Sequence, residues 1–257
     1  GLLVRMYFEP ATALTGDATN YFVYAVDTGL KGKLSDVYFL ANSGWSVLLS
    51  ALFSITKYDD PLFLMELQRS LSIFISVVTI IPVYFLCRRF FNQSYSLIGA
   101  SLFLFQPHII TNSTLGVTEP IFLFLGISSL ILFLSNNPKI VYASFAVAGL
   151  FTLIRFEGLL FFAMLSIMFF VKYRNEKKYF LRYPLVLAIF VLVLLPVAYS
   201  NFETYERDGI VSELVGNTQA SYKHFIEGKP EVGDPIYGDA SSANMQNFLA
   251  NGIKNTI

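Results

Sequence analysis

Four charged side chains carry the chemistry that this sequence could perform. Asp17 lies in the stretch GDATNYF, Glu119 in NSTLGVTEP, and Arg155 and Glu157 in IRFEG. A partly buried carboxylate can act as a general base towards a hydroxyl, and a guanidinium binds an anionic phosphate with two hydrogen bonds. The set therefore favours displacement of a lipid phosphate from the anomeric carbon of a sugar, with Asp17 and Glu119 as catalytic candidates.

Each of these residues also has a purely structural reading. Asp17 follows Gly16 and could cap a helix, and Glu119 could be favoured by the dipole of a first helical turn. Arg155 and Glu157 could pair with each other in an interfacial turn. Substrate-binding candidates are Arg155, Arg69, Glu157 and Trp45.

The composition indicates a membrane protein, which must position these side chains at its surface. The chain of 257 residues is 54% hydrophobic and 14% charged, with a mean hydropathy of +0.56, whereas soluble domains carry about 25% charged residues. The net charge is +0, so nucleic acid is not an expected partner. The single Cys87 allows no internal disulfide. We expect an all-α, polytopic helical bundle in a lipid bilayer.

About six apolar segments are predicted to cross a bilayer whose core needs about 20 helical residues. Their limits are 67–86, 96–111, 116–134, 140–154, 159–171 and 184–202. The fourth and fifth could form one long helix, or two short spans that turn at RFEG. With two spans, the basic connections CRRFFNQ, SNNPK and KYRNEKKYFLRY share one side, as expected of cytoplasmic connections. The chain should therefore reverse at Arg155.

This topology places the chemical motifs on the extracytoplasmic side of a cell membrane. Residues 1–66 are predicted to form an outer loop with interfacial helices near 20–29 and 45–55, and with Trp45 at the level of the lipid headgroups. Residues 203–257 read as the start of an extracytoplasmic C-terminal region. We expect the chain to be a fragment that lacks a first span and a C-terminal domain.

Other motifs favour structural roles. His108 follows Gln106 and Pro107 and is expected at a helix kink. The triplet 112–114 reads Asn-Ser-Thr, which matches a glycosylation acceptor, although such triplets are common by chance. With two histidines in total and no suitable spacing, no metal site is predicted.

The order of the stretches GDATNYFVYA, NSGWSVLLSALFSI, RSLSIFISVVTIIPVYFLCRRFF, NSTLGVTEPIFLFLG and FTLIRFEGLLFF resembles the GT-C membrane glycosyltransferases. The resemblance covers about residues 7–202 and is closest to the protein-mannosyltransferase-like group, including its archaeal members. It implies a polyprenyl- or dolichyl-phosphate sugar donor and an inverting mechanism. It also implies a catalytic acid in the first outer loop, matched by Asp17, and a second acidic position, matched by Glu119.

Two departures from the family pattern leave the sugar and the acceptor open. Asp17 is followed by Ala18, where many mannosyltransferases have an acidic pair, and Asn42 to Trp45 stand where relatives often have a Pro-rich stretch. The acceptor could be a protein, a lipid or a glycan. One alternative is an oligosaccharyltransferase-type subunit, which would bring a divalent metal as cofactor. A transporter or a non-catalytic scaffold is a third hypothesis.

Overall fold

A computed structural model of the protein describes residues 1–7, 14, 16–36, 38–40, 42–56 and 60–206, and its regular elements are α-helices. These residues contain no strand, which confirms the predicted all-α class. The helices are α1 (Leu2–Tyr7), α2 (Asp17–Lys31), α3 (Gly44–Thr56), α4 (Pro61–Val78), α5 (Ile80–Arg88), α6 (Gln93–Leu104), α7 (Pro107–Leu115), α8 (Glu119–Phe133), α9 (Pro138–Ile154), α10 (Gly158–Lys172), α11 (Lys177–Phe180) and α12 (Tyr183–Tyr205).

Local sequence explains where several of these helices begin. The side-chain oxygens of Asp60, Asn92, Gln106 and Asn137 accept hydrogen bonds from backbone N–H groups in the first turns of α4, α6, α7 and α9. These N–H groups have no partner inside the helix, so a side-chain acceptor stabilises the start. Proline at the first or second helical position of α4, α7, α8, α9 and α12 adds a suitable φ angle.

Within the described part of the chain, two helices are long and apolar enough to cross a membrane. They are the 28-residue Pro61–Arg88, formed by α4 and α5, and the 23-residue Tyr183–Tyr205; α7 and α8, which are bent by 120°, could count as a third. The first begins earlier than the predicted 67–86. Within the predicted span 96–111, the structure has a complete break at the position of the expected kink, because α6 ends at Leu104 and α7 begins at Pro107. A proline disfavours helical geometry in the residue before it.

The chain reverses direction at Arg155, as the charge distribution predicts. Helix α9 ends at Ile154 and α10 begins at Gly158. At the far end of α10, Lys172 Nζ donates to the carbonyl oxygens of Phe133 and Ser135, each at 2.6 Å. The end of α10 therefore lies beside the end of α8 and the start of α9. The total number of membrane crossings stays a prediction.

The N-terminal helices pack into the body of the protein. The predicted helices near 20–29 and 45–55 are present as α2 and α3, and Phe22, Leu49 and Phe53 from these helices share one buried cluster with Leu64 and Met65 of α4. A second buried cluster joins α9, α10 and α12. Helix α12 extends past residue 202 to Tyr205, whose hydroxyl lies 2.7 Å from Ser35 O and 2.6 Å from Tyr38 O. The remaining predicted tail, 207–257, lies outside the described residues.

A buried arginine that the sequence analysis did not select stabilises the break between α6 and α7. Arg5 has no exposed surface. Its Nη1 donates to Leu104 O at 3.2 Å, its Nη2 to Ser76 Oγ at 2.9 Å and its Nε to Ser113 Oγ at 3.1 Å. A buried guanidinium needs such partners, and the signal was present as a charged residue inside the apolar stretch GLLVRMYF.

The close approach of α10 to α9 predicts a strong effect of one methyl group. A Cβ at position 158 would lie 2.4 Å from Thr152 Cα, whereas a Cβ at Gly29 would meet its nearest atoms at 3.5 Å. We expect Gly158→Ala to lower the free energy of unfolding by about 1–3 kcal/mol through overpacking, and Gly29→Ala to be close to neutral. Thermal unfolding of the two variants in detergent checks this, and equal midpoints would contradict it.

Candidate active site

The cleft that contains most of the predicted site residues lies at one end of the bundle. It has a volume of about 120 Å³ and is lined mainly by polar groups. They come from the start of α2, the turn before α3, the start of α8 and the break between α9 and α10. The lining residues are Asp17, Tyr21, Asn42, Val117, Thr118, Glu119, Arg155, Phe156 and Glu157. Asp17, Glu119, Arg155 and Glu157, which lie far apart in the sequence, therefore meet in space.

Arg155 links two carboxylates from different helices. Its Nη1 lies 3.3 Å from Glu119 Oε1, and its Nη2 lies 2.9 Å from Glu157 Oε1. Its Nε also donates to Glu157, and its Cζ lies 5.4 Å from the ring centroid of Phe122. The guanidinium is thus held in a fixed orientation while remaining about one-third exposed, at 36%.

Glu119 has one carboxylate oxygen free for a further donor. It is the first residue of α8, and its Oε1 accepts from Arg155. Its Oε2 is buried and has no hydrogen-bond partner among the described residues. A buried oxygen without a donor is destabilising, so a hydroxyl of a bound molecule would be favoured at this position.

Partial burial alone would raise the pKa of the Glu157 carboxyl. The hydrogen bond from Arg155 and a backbone N–H outweigh that effect and lower the pKa below its usual range. In turn, the Glu157 hydrogen bond is the largest of the effects that raise the pKa of Arg155. Both groups are therefore charged at neutral pH, and the described cleft contains three carboxylates against one guanidinium.

Tyr21 is a cleft residue that the sequence analysis missed. Burial, and then the negative charge of Asp17, raise the pKa of its hydroxyl to about 12. The phenol therefore stays protonated at neutral pH and can donate a hydrogen bond. It is also within hydrogen-bonding contact of the Thr118 side chain. The available signal was its position one helical turn after Asp17, since residues four apart share a helix face.

The buried side-chain amide of Gln68 fixes the positions of Asp17 and Glu119 relative to each other. Gln68 Nε2 on α4 donates to Ala18 O at 3.0 Å and to Gly116 O at 2.8 Å. Trp45 Nε1 donates to the same Gly116 oxygen at 3.3 Å. Gly116 has φ +76°, a left-handed conformation that favours glycine. These contacts fix the start of α2, which carries Asp17, relative to the segment before Glu119.

Trp45 and Arg69 are not among the described residues that line the cleft. Trp45 is completely buried, so the expectation of an indole at headgroup level is wrong. The ring packs in the cluster around α2 and α3, where its N–H finds a carbonyl acceptor. Arg69 is 5% exposed beside Gln68 on the inner face of α4. His108 is exposed at the start of α7 with Asn112 beside it, and Ser113 bonds to Arg5.

Residues 64–199 match the model of the dolichyl-phosphate-mannose-protein mannosyltransferase family. The chain belongs to this family. It is therefore a membrane glycosyltransferase of the kind that uses dolichyl-phosphate-mannose, as the resemblance implied, although the match gives no support to the narrower archaeal grouping. The matched range includes Glu119, Arg155 and Glu157 but not Asp17. No curated protein and no solved structure matches the chain.

The ion pairs of Arg155 predict a pH-dependent stability. The lowered pKa of Glu157 means that its pairing stabilises the fold above the ordinary pKa of 4.5, and that this contribution is lost as the pH falls through the lower folded pKa. We expect Arg155→Gln to reduce the free energy of unfolding at pH 7 by about 1 kcal/mol or less. The difference from the wild type should become smaller as the pH falls below 4.5.

Thermal unfolding over this pH range measures the effect. Arg174→Gln is a matched control, because Arg174 is exposed in the connection after α10. A difference between the wild type and Arg155→Gln that stays constant down to the acid end would contradict the assignment.

Proposed function

We propose that the cleft transfers a mannosyl group from dolichyl-phosphate-mannose to a protein hydroxyl, with inversion, on the extracytoplasmic side of the membrane. The observation that carries the proposal is Arg155 held between Glu119 and Glu157 in a cleft that Asp17 also lines. Family membership supports the donor. The protein acceptor follows the family description, and the inversion follows the resemblance.

Asp17 is suited to the role of general base. It is exposed at the first position of α2 and lines the cleft. In the proposed step, the acceptor oxygen forms a bond to the anomeric carbon of the mannose while the bond from that carbon to the phosphate oxygen breaks. The acceptor proton passes to Asp17, and dolichyl phosphate leaves as an anion. Attack opposite the leaving group inverts the anomeric configuration.

Arg155 is proposed to bind the donor phosphate by exchanging one carboxylate partner. The carboxylates of Glu119 and Glu157 both form ion pairs with the Arg155 guanidinium. The contact with Glu119 is the longer one, at 3.3 Å against 2.9 Å. A phosphate that takes the place of Glu119 would keep Nη1 paired. The displaced Glu119 could then accept hydrogen bonds from hydroxyls of the sugar, while Tyr21, which also lines the cleft, donates a hydrogen bond to the substrate.

The charge at the other end of the bundle supports the extracytoplasmic location of the cleft. Arg88, Arg89 and Lys172 lie at the ends of α5 and α10 that are remote from Arg155. Short cytoplasmic connections are enriched in lysine and arginine. The cleft end would accordingly face the side opposite the cytoplasm, in a multi-pass protein.

Replacement of the proposed base gives the decisive test. In the full-length protein, we expect Asp17→Asn to reduce mannosyl transfer from radiolabelled dolichyl-phosphate-mannose to a protein acceptor by about 10²- to 10⁴-fold, because the amide cannot take the proton. Glu203→Gln is the control: this carboxylate is exposed near the same end of the bundle but outside the cleft.

Equal transfer by Asp17→Asn and the wild type would remove Asp17 from the mechanism. Removal of divalent metal ions tests the alternative enzyme class. Loss of activity with EDTA and its return with Mn²⁺ would favour an oligosaccharyltransferase-type reaction. A cysteine that replaces Val77 tests the transporter hypothesis. If thiol reagents added on either side of the membrane labelled this cysteine, a transporter would be favoured.

If the donor phosphate replaces Glu119 at Arg155, a separate effect on the kinetics is expected. Glu119→Gln removes the charge that competes with phosphate, so we expect the donor KM to stay equal or fall while kcat falls. Arg155→Lys should instead raise the donor KM, because an ammonium cannot bind phosphate with two parallel hydrogen bonds. Steady-state kinetics with varied donor concentration distinguishes the two effects. A raised donor KM in Glu119→Gln would contradict the exchange.

A further inference from the structure

A second, larger groove lies at the end of the bundle remote from the cleft. It has a volume of about 350 Å³ and lies between α5 and the connection from α8 to α9. Its walls are mostly apolar, with Phe85, Ile131, Leu132 and Ile140 among them. A volume of this size falls within the range of small-molecule pockets, and an apolar wall suits a hydrocarbon chain.

Two cations converge on the same edge of this groove. Arg89 and Ser135 both line it. Lys172 Nζ donates to Ser135 O and to Phe133 O, which places the ammonium beside the groove. No described carboxylate forms an ion pair with Arg89 or with Lys172. The Lys172 ammonium keeps one N–H available, and the Arg89 side chain donates to no described acceptor.

Arg89 and Lys172 have no carboxylate partner among the described residues, and they lie next to a groove with apolar walls. An anion that carries an apolar chain would match both features. A free anion would leave the apolar walls uncovered, whereas a neutral lipid would leave the two charges without a counterion. Basic pockets between membrane helices on the cytoplasmic side bind anionic lipid headgroups. The location fits, because the basic connections of this chain lie at this end.

We propose that the groove binds an anionic phospholipid, with an acyl chain along Phe85, Ile131 and Ile140 and the headgroup phosphate at Arg89 and Lys172. The site is separate from the cleft around Arg155, since the two lie at opposite ends of α8, α9 and α10. The inference does not depend on the proposed catalytic roles. In this proposal, a lipid of the cytoplasmic leaflet stabilises the contact between α5, α8 and α9.

The neighbouring Arg88 offers a matched control for Arg89. The Arg88 guanidinium donates to Phe91 O, and Arg88 is not among the described residues that line the groove. Both arginines are exposed, so their replacement by glutamine should leave the fold intact. Arg88→Gln and Arg89→Gln thus remove the same charge at adjacent positions, with only one of them in the site.

Native mass spectrometry of the full-length protein tests the proposal, with phosphatidylglycerol or phosphatidylcholine of identical acyl chains added in detergent. We expect the wild type and Arg88→Gln to retain phosphatidylglycerol in preference to phosphatidylcholine, and Arg89→Gln to bind it about fivefold more weakly. Lys172→Gln should show a similar loss. A phosphatidylglycerol carrying a photoreactive acyl chain should crosslink to peptides of α5 and α8.

Three results would overturn the proposal. They are equal retention of the two lipids by the wild type, equal losses in Arg88→Gln and Arg89→Gln, and complete displacement of phosphatidylglycerol by inorganic phosphate. The last would show an anion site without a lipid. Thermal unfolding of each variant in detergent without added lipid confirms that the comparison concerns folded protein.

Discussion

The side-chain amide of Gln68 determines the geometry on which the proposed chemistry depends. Asp17 and Glu119 begin two different helices, and each could take many positions relative to the other. The donors of Gln68 contact the carbonyl of Ala18, next to Asp17, and the carbonyl of Gly116, three residues before Glu119. A buried N–H group without an acceptor destabilises the fold. Both helix starts are therefore restricted to positions in which these two carbonyls can accept hydrogen bonds from the Gln68 amide.

The rest of the protein divides its polarity between two ends. At one end, carboxylates and Arg155 form a compact ionic cleft, and at the other, Arg89 and Lys172 lie beside an apolar groove. Buried aromatic residues such as Phe145 and Phe169 fill the space between them. This arrangement follows from the reversal at Arg155, because a straight helix would have placed Lys172 far from Ser135.

Much of the candidate site could be predicted from the sequence, because carboxylates and arginines stand out in an apolar chain. The positive charge of the connections also predicted the reversal at Arg155. Trp45 was misplaced, since hydropathy cannot distinguish an indole that packs inside the protein from one at the lipid surface. The proline at position 107 predicted a kink, but hydropathy alone could not show that the helix ends completely at Leu104. Tyr21 and Gln68 were missed because their importance arises only from contacts between distant segments.

The hydroxyl of Tyr205 has one proton but two carbonyl neighbours, Ser35 O and Tyr38 O, at nearly equal distances. A phenol can donate to only one of them at a time, so rotation about its C–O bond moves the hydrogen bond from one residue to the other. Ser35 and Tyr38 therefore stay linked to the last turn of α12 whichever of the two carbonyls accepts the hydrogen bond.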